Sequence, residues 1–215
     1  MIQLRADNIG KRFRNRVLFQ GVSLEIVNGE RIAVTGSNGS GKSTLLKILG
    51  GLLRPSVGVV SLDRDGVRVD QEIHSLEFGY VAPASNVYSA MSGIENVRFL
   101  QSFYSGAQEE AEELLERVGL SDASDRTVGE YSSGMLQRIK LACALVGDPT
   151  VLLLDEPFSN LDSKGIAVVE DTIRGHCERG RPVVIATNVQ AEADKCDRII
   201  SIEDFKRAAD STPVS

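Results

Sequence analysis

The chain has 215 residues, 42% of them hydrophobic and 25% charged, which predicts one globular domain with a substantial buried core. Its formal net charge of −6 disfavours nucleic acid as a partner, because proteins that bind a phosphate backbone need a basic surface. No apolar run approaches the ~20 residues that cross a bilayer, and the charged N-terminus excludes a signal peptide, so we expect a cytoplasmic protein.

The first predicted elements of the chain are all strands, and after them predicted strands and helices alternate. The hydrophobic pattern predicts strands at 2–8, 22–26, 31–35, 58–62, 78–82, 151–155, 182–187 and 198–202. It predicts helices at 42–52, 93–104, 108–118, 133–146, 164–177 and 191–195. The later strands are continuously apolar, which is typical of parallel strands buried on both faces. This order predicts an α/β sheet with a helical lobe inserted at about 85–147.

A glycine-rich segment follows the third predicted strand and opens a predicted helix. Residues 36–43 read GSNGSGKS and fit the pattern G-x-x-x-x-G-K-[ST]. Glycines let successive N–H groups converge on a phosphate, Lys42 reaches the β and γ oxygens, and Ser43 offers a hydroxyl to Mg²⁺. A chance match arises in roughly one chain of this length in a hundred at ordinary glycine content, so we predict a phosphate loop. Its predicted nucleotide contacts are Gly36, Ser37, Asn38, Gly39, Ser40, Gly41, Lys42, Ser43 and Thr44.

Two adjacent acids end the apolar strand at 151–155. We predict that Asp155, at the strand tip, holds Mg²⁺ through water and that Glu156 polarises the attacking water. The alternative is a strand followed by an ordinary charged turn. That alternative loses most of its weight once the phosphate loop is present in the same chain.

The segment 131–138, YSSGMLQR, opens an amphipathic helix just upstream of the acidic strand. It resembles the signature segment of ABC-type ATPases, usually LSGGQ, with Tyr131 in place of Leu, Ser133 in place of the first Gly and Met135 in place of Gln. Taken alone, the serines would be explained by an ordinary helix N-cap. Between the two nucleotide motifs, in this order, the signature is the stronger interpretation. The resemblance covers the chain from residue 1 to about residue 202.

The resemblance implies a fold and a set of partners. The fold is a single ABC ATP-binding domain over 1–215: a P-loop core with a mainly parallel sheet, an N-terminal antiparallel β subdomain and the inserted helical subdomain. Two such domains, as a homodimer or as paired ATPase domains, would pack head to tail around Mg²⁺ and ATP. They would drive a separate membrane-spanning transporter subunit from the cytoplasmic face of the inner membrane.

The resemblance also implies roles for residues outside the two nucleotide motifs. Phe13 would stack on adenine, although from its sequence context it could equally be a core residue. Asp162 would lie in the loop after the acidic strand that faces the partner domain. The signature residues expected to act on the partner's nucleotide are Ser132, Ser133, Gly134 and Met135.

Two family positions depart from the usual pattern. The histidine expected after the strand at 182–187 is Asn188, which can hydrogen-bond a γ-phosphate but cannot carry a proton. The glutamine expected after residues 78–81 is replaced by Pro83 or, with a shorter gap, by Ala84, and neither side chain can ligate a metal. Two interpretations stay open: tolerated variation in a working ATPase, and a slow or regulatory nucleotide switch.

Three functions therefore remain open from the sequence. The first is the ATPase subunit of an ABC transporter, similar to the small ATPase subunits of bacterial exporters, including the haem-exporter type of cytochrome c maturation. The second is a soluble ABC ATPase that acts on assembly or translation machinery. The third is a nucleotide-binding module with little turnover. The transported molecule is not predicted, because in this family the membrane subunits recognise it.

Overall fold

The computed structural model describes residues 1–14, 16–71, 73–84, 87–105 and 109–206. The strands within these ranges are β1 (Ile2–Phe13), β2 (Arg16–Val27), β3 (Arg31–Thr35), β4 (Val57–Arg64), β5 (Val67–Arg68), β6 (Phe78–Val81), β7 (Val151–Asp155), β8 (Val183–Thr187) and β9 (Arg198–Ser201). The α-helices are α1 (Lys42–Leu49), α2 (Gly93–Gln101), α3 (Ala111–Arg117), α4 (Ser133–Leu145), α5 (Ser163–Glu178) and α6 (Gln190–Ala193). Short 3₁₀ turns lie at His74–Glu77, Ser121–Ala123 and Val128–Glu130.

The strands form two sheets. One is antiparallel with the order β2-β1-β4-β5, and the other is parallel with the order β6-β7-β8-β3-β9. In the parallel sheet β3 lies between β8 and β9, with Thr35 opposite Thr187 on one side and Ser201 on the other. Because these strands all run in one direction, their carboxyl ends meet at one edge of the sheet, which is where ligands bind in open α/β sheets.

The parallel sheet separates two hydrophobic clusters. One contains Leu46 of α1 and packs between the parallel sheet and the antiparallel sheet. The other contains Ile139 of α4 and lies on the opposite face with helices α2 to α5. Strand β7 supplies both, with Val151 and Leu153 in the first cluster and the alternate residues in the second. The continuous apolar sequence of β7 therefore follows from burial on both faces, and the predicted fold class is confirmed.

Several predicted boundaries need correction. The second strand begins at Arg16, not at residue 22, because β1 and β2 form a long hairpin whose register shifts at three places and breaks the alternating pattern. The first predicted helix stops at Leu49 because Gly51, with φ of +72°, turns the chain in a conformation that favours glycine. The predicted helix at 108–118 and the predicted lobe at 85–147 both start at residues outside the described part of the chain. Within the described part, the corresponding helix α3 begins at Ala111.

No helix among the described residues is both long and apolar enough to cross a bilayer. The division into one domain with an inserted lobe at about 85–147 stays a prediction. Within the described part of that region, α2, α3 and α4 contact one another and share the cluster that contains Ile139. The carboxyl edge of the parallel sheet carries the loops after β3, β6, β7 and β8, and the candidate site lies there.

Candidate active site

The loop between β3 and α1 curls around the ammonium group of Lys42. The Nζ atom of Lys42 donates to the carbonyl oxygens of Gly36, at 2.8 Å, and Ser37, at 3.2 Å, and its side chain is buried. Gly39 and Gly41 have φ angles of +72° and +113°, which glycine adopts without steric cost. The result is a backbone concavity with a fixed cation inside it and the positive end of α1 below it, an arrangement suited to phosphate.

A cavity of about 530 Å³ opens over this loop. It is lined by residues 38–44, by Glu156, and by Phe13, Arg16 and Leu18 of the β1–β2 hairpin. The Phe13 side chain is 49% exposed, and the ammonium of Lys11 lies 5.1 Å from the centre of its ring. The alternative that Phe13 is a core residue is therefore wrong, and its ring borders the cavity that contains the phosphate loop.

The carboxyl end of β7 brings both predicted acids to the loop. Asp155 is buried, and burial raises the pKa of its carboxyl group, whereas a hydrogen bond from the Ser43 side chain lowers that pKa and the charge of Glu156 raises it. Glu156 lines the cavity, and its backbone N–H donates to the carbonyl oxygen of Ala186 at 2.9 Å. A hydroxyl next to a carboxylate is an oxygen donor set of the kind that Mg²⁺ takes, so these residues fit the ion.

Asn188 follows β8 and reaches the phosphate loop. Its Nδ2 atom donates to Oδ1 of Asn38 at 3.2 Å. The turn that carries it is fixed by Thr187, whose hydroxyl accepts from the Val189 N–H at 3.0 Å and donates to Glu192 of α6. The structure thus brings Asn188 to the loop that holds Lys42.

The two histidines are buried elsewhere. His74 packs on Phe78, with its Nε2 atom 3.0 Å from the carbonyl oxygen of Leu49. His176 is buried on α5, where burial and nearby arginines lower its pKa to about 3. Neither histidine lines the cavity over the phosphate loop, so neither replaces the one missing at position 188.

The segment after β6 is held through its main chain. The carbonyl oxygen of Pro83 accepts a hydrogen bond from Nζ of Lys140 on α4 at 2.6 Å. Residues 85 and 86 lie outside the described part of the chain. At Pro83, one of the two positions where the resemblance implies a glutamine, the chain therefore has a carbonyl tied to α4, a contact that the sequence did not predict.

The signature segment lies away from the cavity. Ser132 is the N-cap of α4, and its hydroxyl oxygen accepts from the Met135 N–H at 3.2 Å. Asp162 is the N-cap of α5 and accepts from the Gly165 N–H at 2.8 Å. Residues 132–135 and Asp162 are absent from the described lining of the cavity. One chain therefore does not bring them to its own phosphate loop, as expected for residues predicted to act on a partner's nucleotide.

Two further contacts at the site went unpredicted. Glu203, just after β9, accepts hydrogen bonds from the N–H, at 3.0 Å, and the hydroxyl, at 2.6 Å, of Ser37 in the phosphate loop. Gln137, buried on α4, donates to carbonyl oxygens immediately after β7. Glu203 carries no local signal, because 166 residues separate it from Ser37. Gln137 has no local signal either, because on the signature helix it stands between Leu136 and Arg138.

A phosphate loop and an acidic strand tip at the carboxyl edge of a parallel sheet define a P-loop nucleotide-binding protein. Residues 19–159 match the ABC transporter family. The Nod factor export ATP-binding protein I of Burkholderia lata is 34% identical over 211 residues, which are 96% of this chain and 69% of that protein. A fluoroquinolones export ATP-binding protein of Mycobacterium tuberculosis is 35% identical over 196 residues, 90% of this chain and 65% of that protein.

Solved structures agree with these sequence relatives. The dimeric post-hydrolysis state of an ATP-binding cassette bound to ADP and phosphate has a TM-score of 0.80 and 28% sequence identity to this chain, covering 92% of it and 93% of that chain. The chain belongs to the ABC transporter family. It is an ATP-binding subunit with ATPase activity, and the transport function is supported over the assembly or translation alternative.

Proposed function

We propose that this chain hydrolyses Mg-ATP as one half of a head-to-tail pair and thereby drives export through a separate membrane-spanning subunit. The pair would work on the cytoplasmic face of the inner membrane. The observation that carries the proposal is the division of the site. Lys42, Ser43 and Glu156 line one cavity and Asp155 is hydrogen-bonded to Ser43, whereas Ser132 to Met135 open a helix away from that cavity. A second domain would have to supply the signature segment.

Nucleotide binding would use the phosphate loop and the β1–β2 hairpin. Backbone N–H groups of residues 36–44 and the Lys42 ammonium would bind the phosphates. Phe13 would stack on the base, with Lys11 near its ring. Because the chain carries a net charge of −6, attraction for the nucleotide must come from these local cations, including Arg16 at the cavity wall.

Ser43 and Asp155 are the residues that would hold Mg²⁺. The bound ion would neutralise charge on the β and γ oxygens of the nucleotide. The chain's part is to aim the buried Asp155 carboxylate, and the hydrogen bond from Ser43 does this while it opposes the rise in the Asp155 pKa that burial causes.

Glu156 would orient the attacking water and accept its proton. The direction in which the Glu156 side chain points is set by its backbone, which has a φ of +51°. The N–H of Glu156 donates to the carbonyl oxygen of Ala186 in β8 and so holds that backbone in place. Asn188 would donate a hydrogen bond to the γ-phosphate from the position where the family has histidine. An amide cannot carry a proton, so we expect a slow ATPase whose rate depends on Glu156.

A slow nucleotide switch is the second candidate function. Two observations favour it: Asn188 stands in place of the histidine, and Pro83 and Ala84 offer no side-chain ligand after β6. Both candidates share the nucleotide site and differ in turnover. Phosphate release by the assembled complex would separate them.

Size-exclusion chromatography of the Glu156→Gln chain tests the head-to-tail pair. In Mg-ATP the variant should elute as a dimer, because the amide keeps the shape of the side chain but removes the base, and the closed pair persists. The matched control is Lys42→Ala combined with Glu156→Gln, which should elute as a monomer because it cannot bind the phosphates. A Glu156→Gln chain that stays monomeric in Mg-ATP, alone and with its membrane subunit, would remove the main support for the pair.

A further inference from the structure

We propose that Gln137 is a positioning residue that holds the backbone of Glu156 from the helix that begins with the signature segment. This rests on the proposed function, because it takes Glu156 as the base and Ser132 as a contact to the partner's nucleotide. The inference adds a physical link between the two nucleotides of a pair, running through α4 of each chain.

The contact itself is buried and made by one side-chain amide. The Nε2 atom of Gln137 donates to the carbonyl oxygen of Pro157 at 3.2 Å and to that of Glu156 at 3.4 Å. Only 8% of Gln137 is exposed. An amide NH₂ group carries two hydrogens, so it can serve both carbonyls at once. Removing the amide would leave the Pro157 carbonyl without this donor, in a place where water has little access, whereas the Glu156 carbonyl would keep the N–H of Ser159.

The backbone that this amide holds is strained. Glu156 has φ of +51°, a conformation that residues with a side chain rarely adopt. Its N–H donates to the carbonyl oxygen of Ala186 of β8, and its own carbonyl oxygen accepts from Gln137 of α4, at 3.4 Å, and from the N–H of Ser159 in the same turn, at 3.2 Å. The two peptide groups that flank the Glu156 Cα are thus fixed by two different elements. Ser159 belongs to the turn itself, so Gln137 is the donor that ties this turn to α4. Loss of the Gln137 amide would release the turn from α4, and the strained backbone could then shift and move the carboxylate away from the position it needs in the cavity.

The same helix carries the signature segment. Gln137 lies five residues after the N-cap Ser132, or about 7.5 Å along the helix axis, and a helix of this length moves as a unit. If the N-terminus of α4 shifts when it engages the partner's nucleotide, the shift reaches Glu156 through Gln137. Hydrolysis of one nucleotide would then depend on the engagement of the other, which is a coupling free energy between two sites.

The test compares Gln137→Met with Gln101→Met in the complex assembled with the membrane subunit. Methionine keeps the length of the side chain and removes the donors. Gln101 is the matched control because its Nε2 atom also donates to a backbone carbonyl, that of Glu109 at 2.9 Å, in the same part of the fold but outside the site. For Gln137→Met we expect kcat to fall about tenfold with the KM for ATP nearly unchanged, and the Hill coefficient to fall toward unity. Gln101→Met should leave all three close to wild type.

A second variant keeps the test decisive if Gln137→Met folds poorly. Gln137→Glu preserves size and polarity but turns the donor into an acceptor that faces two carbonyl oxygens, so its kcat should fall further than that of the Met variant. Full kcat in Gln137→Glu, or equal effects of Gln137→Met and Gln101→Met, would overturn the role of Gln137. A wild-type complex without Glu156-dependent phosphate release would instead overturn the proposed function, so the two failures are distinguishable.

Discussion

The two sides of the candidate site, at the carboxyl edge of the parallel sheet, differ in how closely they follow the family pattern. The side made by the phosphate loop and β7 carries the groups expected for binding, with Lys42 and Ser43 lining the cavity and Ser43 hydrogen-bonded to Asp155. The side made by the loops after β6 and β8 carries Asn188 where the resemblance implies a histidine, and Pro83 or Ala84 where it implies a glutamine. Nucleotide binding relies mostly on backbone geometry and fixed charge, whereas hydrolysis relies on a few exposed side chains. The side chains used in hydrolysis can therefore change while the binding loop is kept.

Lys42→Ala should have the largest effect, because it removes the cation from the binding side. The charge-assisted contacts predicted for Lys42 to the β and γ oxygens would be lost, so ATP affinity should fall about 10³-fold and turnover should disappear. Calorimetric titration of the full chain measures the affinity. Lys47→Ala, which removes an exposed lysine from the same helix, is the control and should bind ATP almost normally. Unchanged affinity in Lys42→Ala would break the assignment of the phosphate loop.

Glu156→Gln should separate nucleotide binding from hydrolysis. ATP affinity should stay near wild type, because the phosphate loop is intact, whereas phosphate release should fall about 10³-fold because the general base is gone. Steady-state phosphate release by the assembled complex measures this. The control is Glu178→Gln, a change of the same kind at an exposed site on α5. If Glu156→Gln turns over at the wild-type rate, the water is activated by another group.

Asn188 tests the side that departs from the family. Asn188→Ala should slow phosphate release about tenfold, a part of the loss seen when one preorganised donor to a developing oxyanion is removed. Asn188→His should raise the rate or leave it unchanged, because imidazole supplies a donor as well. A fast Asn188→Ala enzyme would show that this residue does not contact the γ-phosphate. A wild type without activity would favour the regulatory switch.

Phe13→Ala should give the smallest effect, on binding alone. Loss of one stacking contact, worth ~1 kcal/mol, should weaken ATP binding about fivefold. Inorganic triphosphate is the sharper probe, because it has no base, and its affinity should be the same for Phe13→Ala and wild type. Phe103→Ala, at an exposed aromatic residue of α2's C-terminal region, is the control. Equal loss for ATP and triphosphate would mean that Phe13 supports the loop and not the base.

The features that the sequence predicts correctly are those encoded by neighbouring residues. The phosphate loop and the acidic strand tip are contiguous motifs, so the sequence alone assigns their residues to one edge of the sheet. Strands β7 and β8 were predictable because burial on both faces leaves a continuous apolar sequence. The roles assigned to individual site residues, and those of the signature in particular, stay predictions.

The contacts that escaped prediction join residues far apart in the chain or lie at irregular backbone. Glu203 contacts Ser37 because β9 pairs with β3, and no local sequence pattern predicts that pairing. Bulges in the β1–β2 hairpin disrupt the two-residue period and hid the start of β2. The hydrogen bonds of Gln137 depend on the packing of α4 against the turn after β7, which periodicity places only roughly.

The strand order has a consequence for the order of folding. Within the described part of the chain, strand β3, which leads into the phosphate loop, pairs with β8 and β9, and these strands begin as late as Val183 and Arg198. Helices α2, α3 and α4 contact partners that are near in sequence, and such local contacts form quickly. During synthesis β3 therefore has neither of its partner strands, and the phosphate loop is not fixed in place until residues 183–201 have been synthesised. The segment that binds the nucleotide comes early in the chain and is completed among the last.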